Sequence, residues 1–210
     1  MKIKNCPDMQ KSSGTWFQKI ENMHPYQTLM YLGMFGSGLI FTFMTLAFLL
    51  SGVGNMDGIG FRMPKAFIGS TFILLISGYS VSKMMLHFRE EEISKLKNSL
   101  LATFLSGLLF TVLQFIGWKE LTAMGIDFTG LPRGSFLYVL SGIHVFHLLV
   151  AMVFALIMLV QYSRKEKDQI QHLILLTNPF EKMRIHLFTT YWHFMDLIWI
   201  VLFFTFVLAF

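Results

Sequence analysis

Long stretches without a charged residue recur along the whole chain, and no other property limits its folding so sharply. There is no Asp, Glu, Lys or Arg over Tyr26–Leu50, Asn98–Trp118 or Gly134–Tyr162. About 20 apolar residues in a helix cross the hydrocarbon core of a bilayer. In lipid such a run must satisfy its own backbone N–H and C=O groups, which makes it helical. Two further runs complete the set. Ala66–His87 offers only 17 uncharged residues, Ala66–Ser82, before Lys83, so that lysine is expected to snorkel toward the interface. Ile185–Phe210 carries one carboxylate, Asp196. The expected fold class is all-α: a polytopic membrane helix bundle of five transmembrane helices, about 26–50, 66–87, 98–118, 134–162 and 185–210. A polar tail over residues 1–25 precedes it. All five prolines (Pro7, Pro25, Pro64, Pro132 and Pro179) fall outside the spans. Pro64 and Pro132 sit where proline is tolerated, at a helix start.

Composition excludes the soluble alternatives. The 210 residues are 54% apolar and 14% charged, with 23 Phe, too apolar and too charge-poor for an ordinary soluble domain. The one cysteine, Cys6, lies in the tail; it excludes an intrachain disulfide and reads as inert. Residues 1–22 lack a short apolar core ahead of a small-residue cleavage site, so the first span is expected to serve as the targeting signal. The net charge of +5 does not indicate nucleic acid, because Lys and Arg lie in short segments beside apolar spans, where they set orientation. Thirteen of the 17 fall on one side: Lys2, Lys4, Lys11 and Lys19; Lys83, Arg89, Lys95 and Lys97; Arg164, Lys165, Lys167, Lys182 and Arg184. Arg62, Lys65, Lys119 and Arg133 fall on the other. The N-terminus is therefore expected in the cytoplasm and the C-terminus on the periplasmic face.

A charge inside a bilayer costs roughly 2.5–3.5 kcal/mol on insertion scales, so Asp196 needs a partner. His193 and Trp199 lie three residues either side of it, on one helical face. The fourth span reads Ser141-Gly142-Ile143-His144-Val145-Phe146-His147, with two histidines on a shared face. Three readings fit His144, His147, His193 and Asp196. One is a metal site, since imidazole suits Zn, Cu, Fe or Ni. A second is haem, although no paired histidine repeat stands on two helices. The third is an interhelical hydrogen-bond network that fixes register, at an average of about 0.6 kcal/mol per bond. The network reading is favoured, with no metal and no cofactor bound by this chain. Small residues (Gly33, Gly36, Ser37 and Gly38; Gly69, Ser70, Ser77 and Gly78; Thr103, Ser106 and Gly107; Ser141 and Gly142) suit a closely packed bundle. Gln114 is uncharged, Trp118 reads as an interfacial anchor and Glu120 as solvated. The run from Arg89 to Lys97 reads as a solvated helix end supported by acid–base pairs. A transporter would need a broken helix near the midplane, and no span contains proline. No haem-attachment motif or dinucleotide fingerprint is present.

These residues resemble subunit III of the haem-copper terminal oxidases. Tyr191-Trp192-His193-Phe194-x-Asp196-x-x-Trp199 is similar to that family's most recognisable stretch. Ser141-Gly142-x-His144-x-x-His147 and Gly107-x-x-Phe110-Thr111-x-x-Gln114 also match. The likeness covers about Tyr31–Phe210, in the five-helix form of shorter bacterial members. Two positions depart from it. Gly38 follows Ser37 where the family commonly has a buried glutamate, and Gly117 stands where it commonly has an acid. A proton-related role for that glutamate is not carried over.

The resemblance implies an accessory subunit of a cytochrome c oxidase, in the bacterial cytoplasmic (inner) membrane, without redox centres of its own. Haem and copper would reside in partner subunits I and II. This chain would pack on subunit I, meet subunit II and further respiratory subunits, bind structural phospholipids, and sustain proton uptake and turnover stability. The overall reaction would be reduction of oxygen to water coupled to proton pumping. His144, His147, His193, Asp196 and Trp199 would form a structural polar network, with no catalytic residue. The alternatives are the equivalent subunit of a quinol oxidase or nitric oxide reductase, and a stand-alone membrane transporter.

Overall fold

The computed structural model describes residues 24–51, 63–129, 132–165, 175 and 177–209. Cys6, the four tail lysines, Arg62 and Lys167 lie outside the described residues. Among the described residues stand five long helices: α1 (Pro25–Leu50), α2 (Lys65–Arg89), α3 (Ile93–Ala123), α4 (Pro132–Lys165) and α5 (Pro179–Ala209). Each is long and apolar enough to cross a membrane.

The helix ends follow from local chemistry. Proline opens α1, α4 and α5, where its missing N–H costs nothing and its fixed φ suits the first turn. Helix α2 runs on through Lys83 to Arg89, 25 residues in all, so it measures about 37 Å. That exceeds the roughly 30 Å of hydrocarbon, and the short uncharged run is no obstacle to crossing. Lys83 Nζ sits 5.3 Å from the centroid of the Tyr79 ring.

The charged segment after α2 holds the exposed end of that helix, Arg89, and turns at once into α3. Glu92 N–H donates to His87 O at 3.0 Å and Glu91 N–H to Phe88 O at 3.3 Å, the bond pair of a Schellman cap. Such a cap needs a left-handed residue, and here Glu91 supplies it at φ 61°. The same cap ends α3, where Gly125 takes φ 81°, Ile126 N–H donates to Leu121 O and Gly125 N–H to Thr122 O. Lys95 and Glu92 pair at 2.7 Å on the first turn of α3.

Helices α2, α3, α4 and α5 form a ring of neighbours, and α1 lies outside against α4 and α5. Three of its residues, Ser37, Phe41 and Phe48, are buried. Helix α5 carries the largest buried side chains, Trp192 and Trp199. Gly107 makes room for Trp192: a Cβ there would stand 3.1 Å from the indole. At the ends of α4 and α5 the buried Glu181 accepts from Lys165 Nζ at 2.8 Å, Arg184 Nη1 at 3.0 Å and the Tyr162 hydroxyl at 3.3 Å. Its position in the first turn of α5 also suits the positive end of the helix dipole.

Candidate functional site

Four polar contacts inside the bundle share one construction. A serine or threonine hydroxyl donates to a carbonyl one turn back on its own helix, which leaves its oxygen as acceptor for an N–H from a neighbour. Ser77 donates to Leu74 O at 2.8 Å and accepts from Trp192 Nε1 at 3.1 Å. Thr71 donates to Phe67 O at 2.9 Å and accepts from Trp199 Nε1 at 3.0 Å. Ser70 donates to Phe67 O at 2.9 Å and accepts from Gln114 Nε2 at 2.9 Å. Ser141 donates to Leu137 O at 2.7 Å and accepts from Trp118 Nε1 at 2.9 Å. In lipid no water competes for these groups, so every satisfied N–H fixes a helix pair in register.

Trp118 is thus tied to α4 through Ser141, beyond its expected place as an interfacial anchor. Gln114 joins α3 to α2. Trp192 was not singled out among the sequence candidates.

The four titratable candidates are not brought into one cluster. His144 is fully buried, its ring 5.1 Å from Trp199, 5.6 Å from Phe110 and 6.3 Å from Phe41 between centroids. Neither of its nitrogens has a hydrogen-bond partner among the described residues. His147 faces α1 instead. Its Nδ1 lies 2.8 Å from Ile143 O, so that nitrogen carries the proton, and Nε2 accepts from the Ser37 hydroxyl at 3.1 Å.

His193 and Asp196 face α2. Ser82 donates to Gly78 O at 2.9 Å, so His193 Nε2, 3.2 Å away, donates to Ser82. His193 Nδ1 stands 3.6 Å from Asp196 Oδ2, too far for a good hydrogen bond. Asp196 Oδ2 lies directly over Gly78, where a Cβ would come within 2.7 Å, and Oδ1 is buried without a partner. The His193 side chain is 42% exposed, on the outer seam of α2 and α5. Among the described residues no three His, Cys, Asp or Glu side chains come together as metal ligands would.

One of the two departures from the family pattern has a local explanation. A Cβ on Gly117 would overlap the ring of Phe67, which is fully buried and packs edge-on against Trp199 at 6.0 Å. The space an acid would need is filled by that phenyl ring. A Cβ on Gly38 would stand 3.7 Å from the Phe194 ring, an ordinary contact; beside it the Ser37 hydroxyl serves His147.

One apolar cavity of about 420 Å³ lies between α1, α4 and α5, lined by Tyr26, Met30, Phe154, Phe188 and Tyr191. Arg184 stands on its wall, 5.7 Å from the Phe154 ring centroid.

Five helices long and apolar enough to cross a membrane, tied by internal hydroxyl bonds, define a multi-pass membrane protein. The chain belongs to the cytochrome c oxidase subunit III family, whose model matches residues 26–209. It is similar to a protein named probable quinol oxidase subunit 3 from Staphylococcus aureus, 26% identical over 170 residues, or 81% of this chain and 79% of that one. A protein of the same name from Staphylococcus saprophyticus is 26% identical over 172 residues, with the same coverage of both chains. The chain is accordingly a subunit of a terminal oxidase complex of the haem-copper family, which implies other oxidase subunits as partners. Subunits of this family lack redox centres of their own.

Proposed function

We propose that this chain is the non-redox accessory subunit of a quinol-oxidising terminal oxidase. The observation that carries the donor is the name shared by the relatives, probable quinol oxidase subunit 3. Cytochrome c, the donor expected from the sequence, is kept as the second reading because the family model bears the name of that oxidase. Haem and copper would reside in partner subunits, where oxygen is reduced to water. The chain packs on the haem-bearing subunit and supports its proton uptake and turnover lifetime, with the N-terminus cytoplasmic and residues 26–210 forming the membrane domain.

His144, His147, His193, Asp196 and Trp199 act structurally in this reading. The hydroxyl-based bonds support it, because each consumes polar groups in holding two helices together. The half-exposed His193, beside Asp196 at membrane depth, supports a protein neighbour over the α2–α5 seam, since such groups avoid lipid. The apolar cavity beside Arg184 suits the acyl chain of a structural phospholipid.

The donor is tested on the oxidase purified through this chain. Oxygen uptake driven by a short-chain quinol, with little driven by reduced cytochrome c, supports the proposal. The reverse preference establishes the cytochrome c reading.

A further inference from the structure

Helix α5 packs against α2, α4 and α1. Its Phe194 turns to Gly38 of α1 and its Asp196 to Gly78 of α2, and the face between those two contacts stays uncovered. His186, Thr190, His193, Leu197 and Phe204 follow one another along it at the spacing of a heptad seam. His186, Leu197 and Phe204 are exposed, and Thr190 and His193 are half-buried. The half of the seam toward Pro179 is thus polar, and the half from Leu197 onward is apolar. Helix α5 has 31 residues, so it measures about 46 Å, and His193 stands about 21 Å from its start. An imidazole and a carboxylate near the middle of a bilayer face protein rather than lipid.

The polar groups at that depth do not satisfy one another. The Ser82 hydroxyl is taken up with Gly78 O, so His193 Nε2 is the donor in their 3.2 Å contact. A neutral imidazole has one N–H, which leaves Nδ1 with a lone pair 3.6 Å from Asp196 Oδ2. That gap is too long for a hydrogen bond between them. Two acceptors therefore stand side by side, with Asp196 Oδ1 buried and unpaired behind them. The cations nearest in the chain are engaged elsewhere among the described residues. Lys83 rests over the Tyr79 ring, and Arg184 and Lys165 bind Glu181. Gly78 keeps the opposite wall of the seam clear, since a Cβ there would come within 2.7 Å of Asp196 Oδ2.

We propose that a basic side chain on a transmembrane helix of the haem-bearing partner enters the α2–α5 seam and donates to His193 Nδ1 and Asp196 Oδ2 together. It supplies the charge that Asp196 lacks within this chain. The planar fork of an arginine suits two neighbouring acceptors better than a lysine ammonium does. The helix that carries it lies along the heptad seam, polar opposite His186 and apolar opposite Leu197 and Phe204. A second copy of this chain in the same orientation would bring another carboxylate to the seam, not a cation, and a phospholipid headgroup does not reach this depth. The inference rests on the reading of the chain as an accessory oxidase subunit and names the group by which its partner recognises it. It is independent of the electron donor.

The test uses the intact oxidase, purified through its haem-bearing subunit, with this chain counted by native mass spectrometry. Asp196→Asn keeps the shape of the side chain and removes its charge, and occupancy of this chain is expected to fall roughly tenfold or more. Lys119→Gln, near the far end of α3, leaves occupancy unchanged. A photoreactive residue in place of Leu197 makes the test independent of how the Asp196 variant folds. Its adduct is expected on a transmembrane segment of the haem-bearing subunit that contains arginine or lysine. The same residue in place of Leu105, exposed on α3, is expected to leave that segment unlabelled. Full occupancy for Asp196→Asn, an adduct with lipid or with a second copy of this chain, or a labelled segment without a basic residue would overturn the proposal. An unaltered chain that is absent from the purified oxidase would overturn the subunit reading itself.

Discussion

The indole of Trp192 donates to the Ser77 hydroxyl at 3.1 Å, and that hydroxyl has already given its own proton to Leu74 O. The two members of the pair are therefore unequal. Ser77→Ala leaves a fully buried indole N–H unpaired, at a cost of about 1–3 kcal/mol. Trp192→Phe leaves Ser77 still bonded to Leu74 O and costs the indole's packing instead. Unfolding in mild detergent should show the double variant less destabilised than the two single losses added together, by about 0.6 kcal/mol. Strict additivity would show that the bond contributes nothing.

Gly117 and Phe67 share one space. Gly117→Ala should destabilise by about 1–3 kcal/mol through overpacking, and Gly117→Glu by more. Phe67→Ala alone should cost about 3–5 kcal/mol, and the double variant should lose less than the two single losses added together. Strict additivity would mean that the two residues do not compete.

Glu91 holds a left-handed conformation, φ 61°, which costs an L-residue about 1–2 kcal/mol. Glu91→Gly removes that strain while loosening the unfolded chain. The net expectation is a modest gain in stability, up to about 1 kcal/mol. A lower thermal midpoint for Glu91→Gly would contradict the cap assignment.

Asp196 lies over Gly78 on the α2–α5 seam. In the proposed complex, Asp196→Leu should lower the occupancy of this subunit in the purified oxidase, and Gly78→Ala should do the same by displacing the carboxylate. Full occupancy with undiminished turnover lifetime for both variants would remove Asp196 from any role in assembly.

Much of the fold was legible because charge is so costly in a bilayer. The charge-free runs marked five helices, and Pro64 and Pro132 marked where two of them begin; Pro179, six residues before the uncharged run, opens the last helix and was not read as its start. Lys83 made α2 look short because a sequence records where a charge stands but not how far its side chain reaches. The run Arg89–Lys97 was legible as a solvated helix end, and Arg89 does end α2; the turn that follows was not, because it depends on Glu91 accepting a conformation that glutamate rarely takes. Inside the bundle, spacing placed His144 with His147 and His193 with Asp196, each pair within one element. Which neighbour each faced depended on helix rotation and register. His144 therefore lies among Phe110, Trp199 and Phe41, while His147 reaches Ser37 on another helix. The hydroxyl bonds to Trp192 and Trp118, and the Phe67 ring over Gly117, join residues far apart in sequence and were invisible for the same reason.

The subunit assignment is decided most directly by purifying this chain from its native membrane in mild detergent and recording the optical spectrum and oxygen uptake of what accompanies it. Haem-bearing partners that reduce oxygen, with no haem in the chain once it is separated from them, are the expected result. A chain that purifies alone and colourless, or one that carries haem or metal by itself, would contradict it.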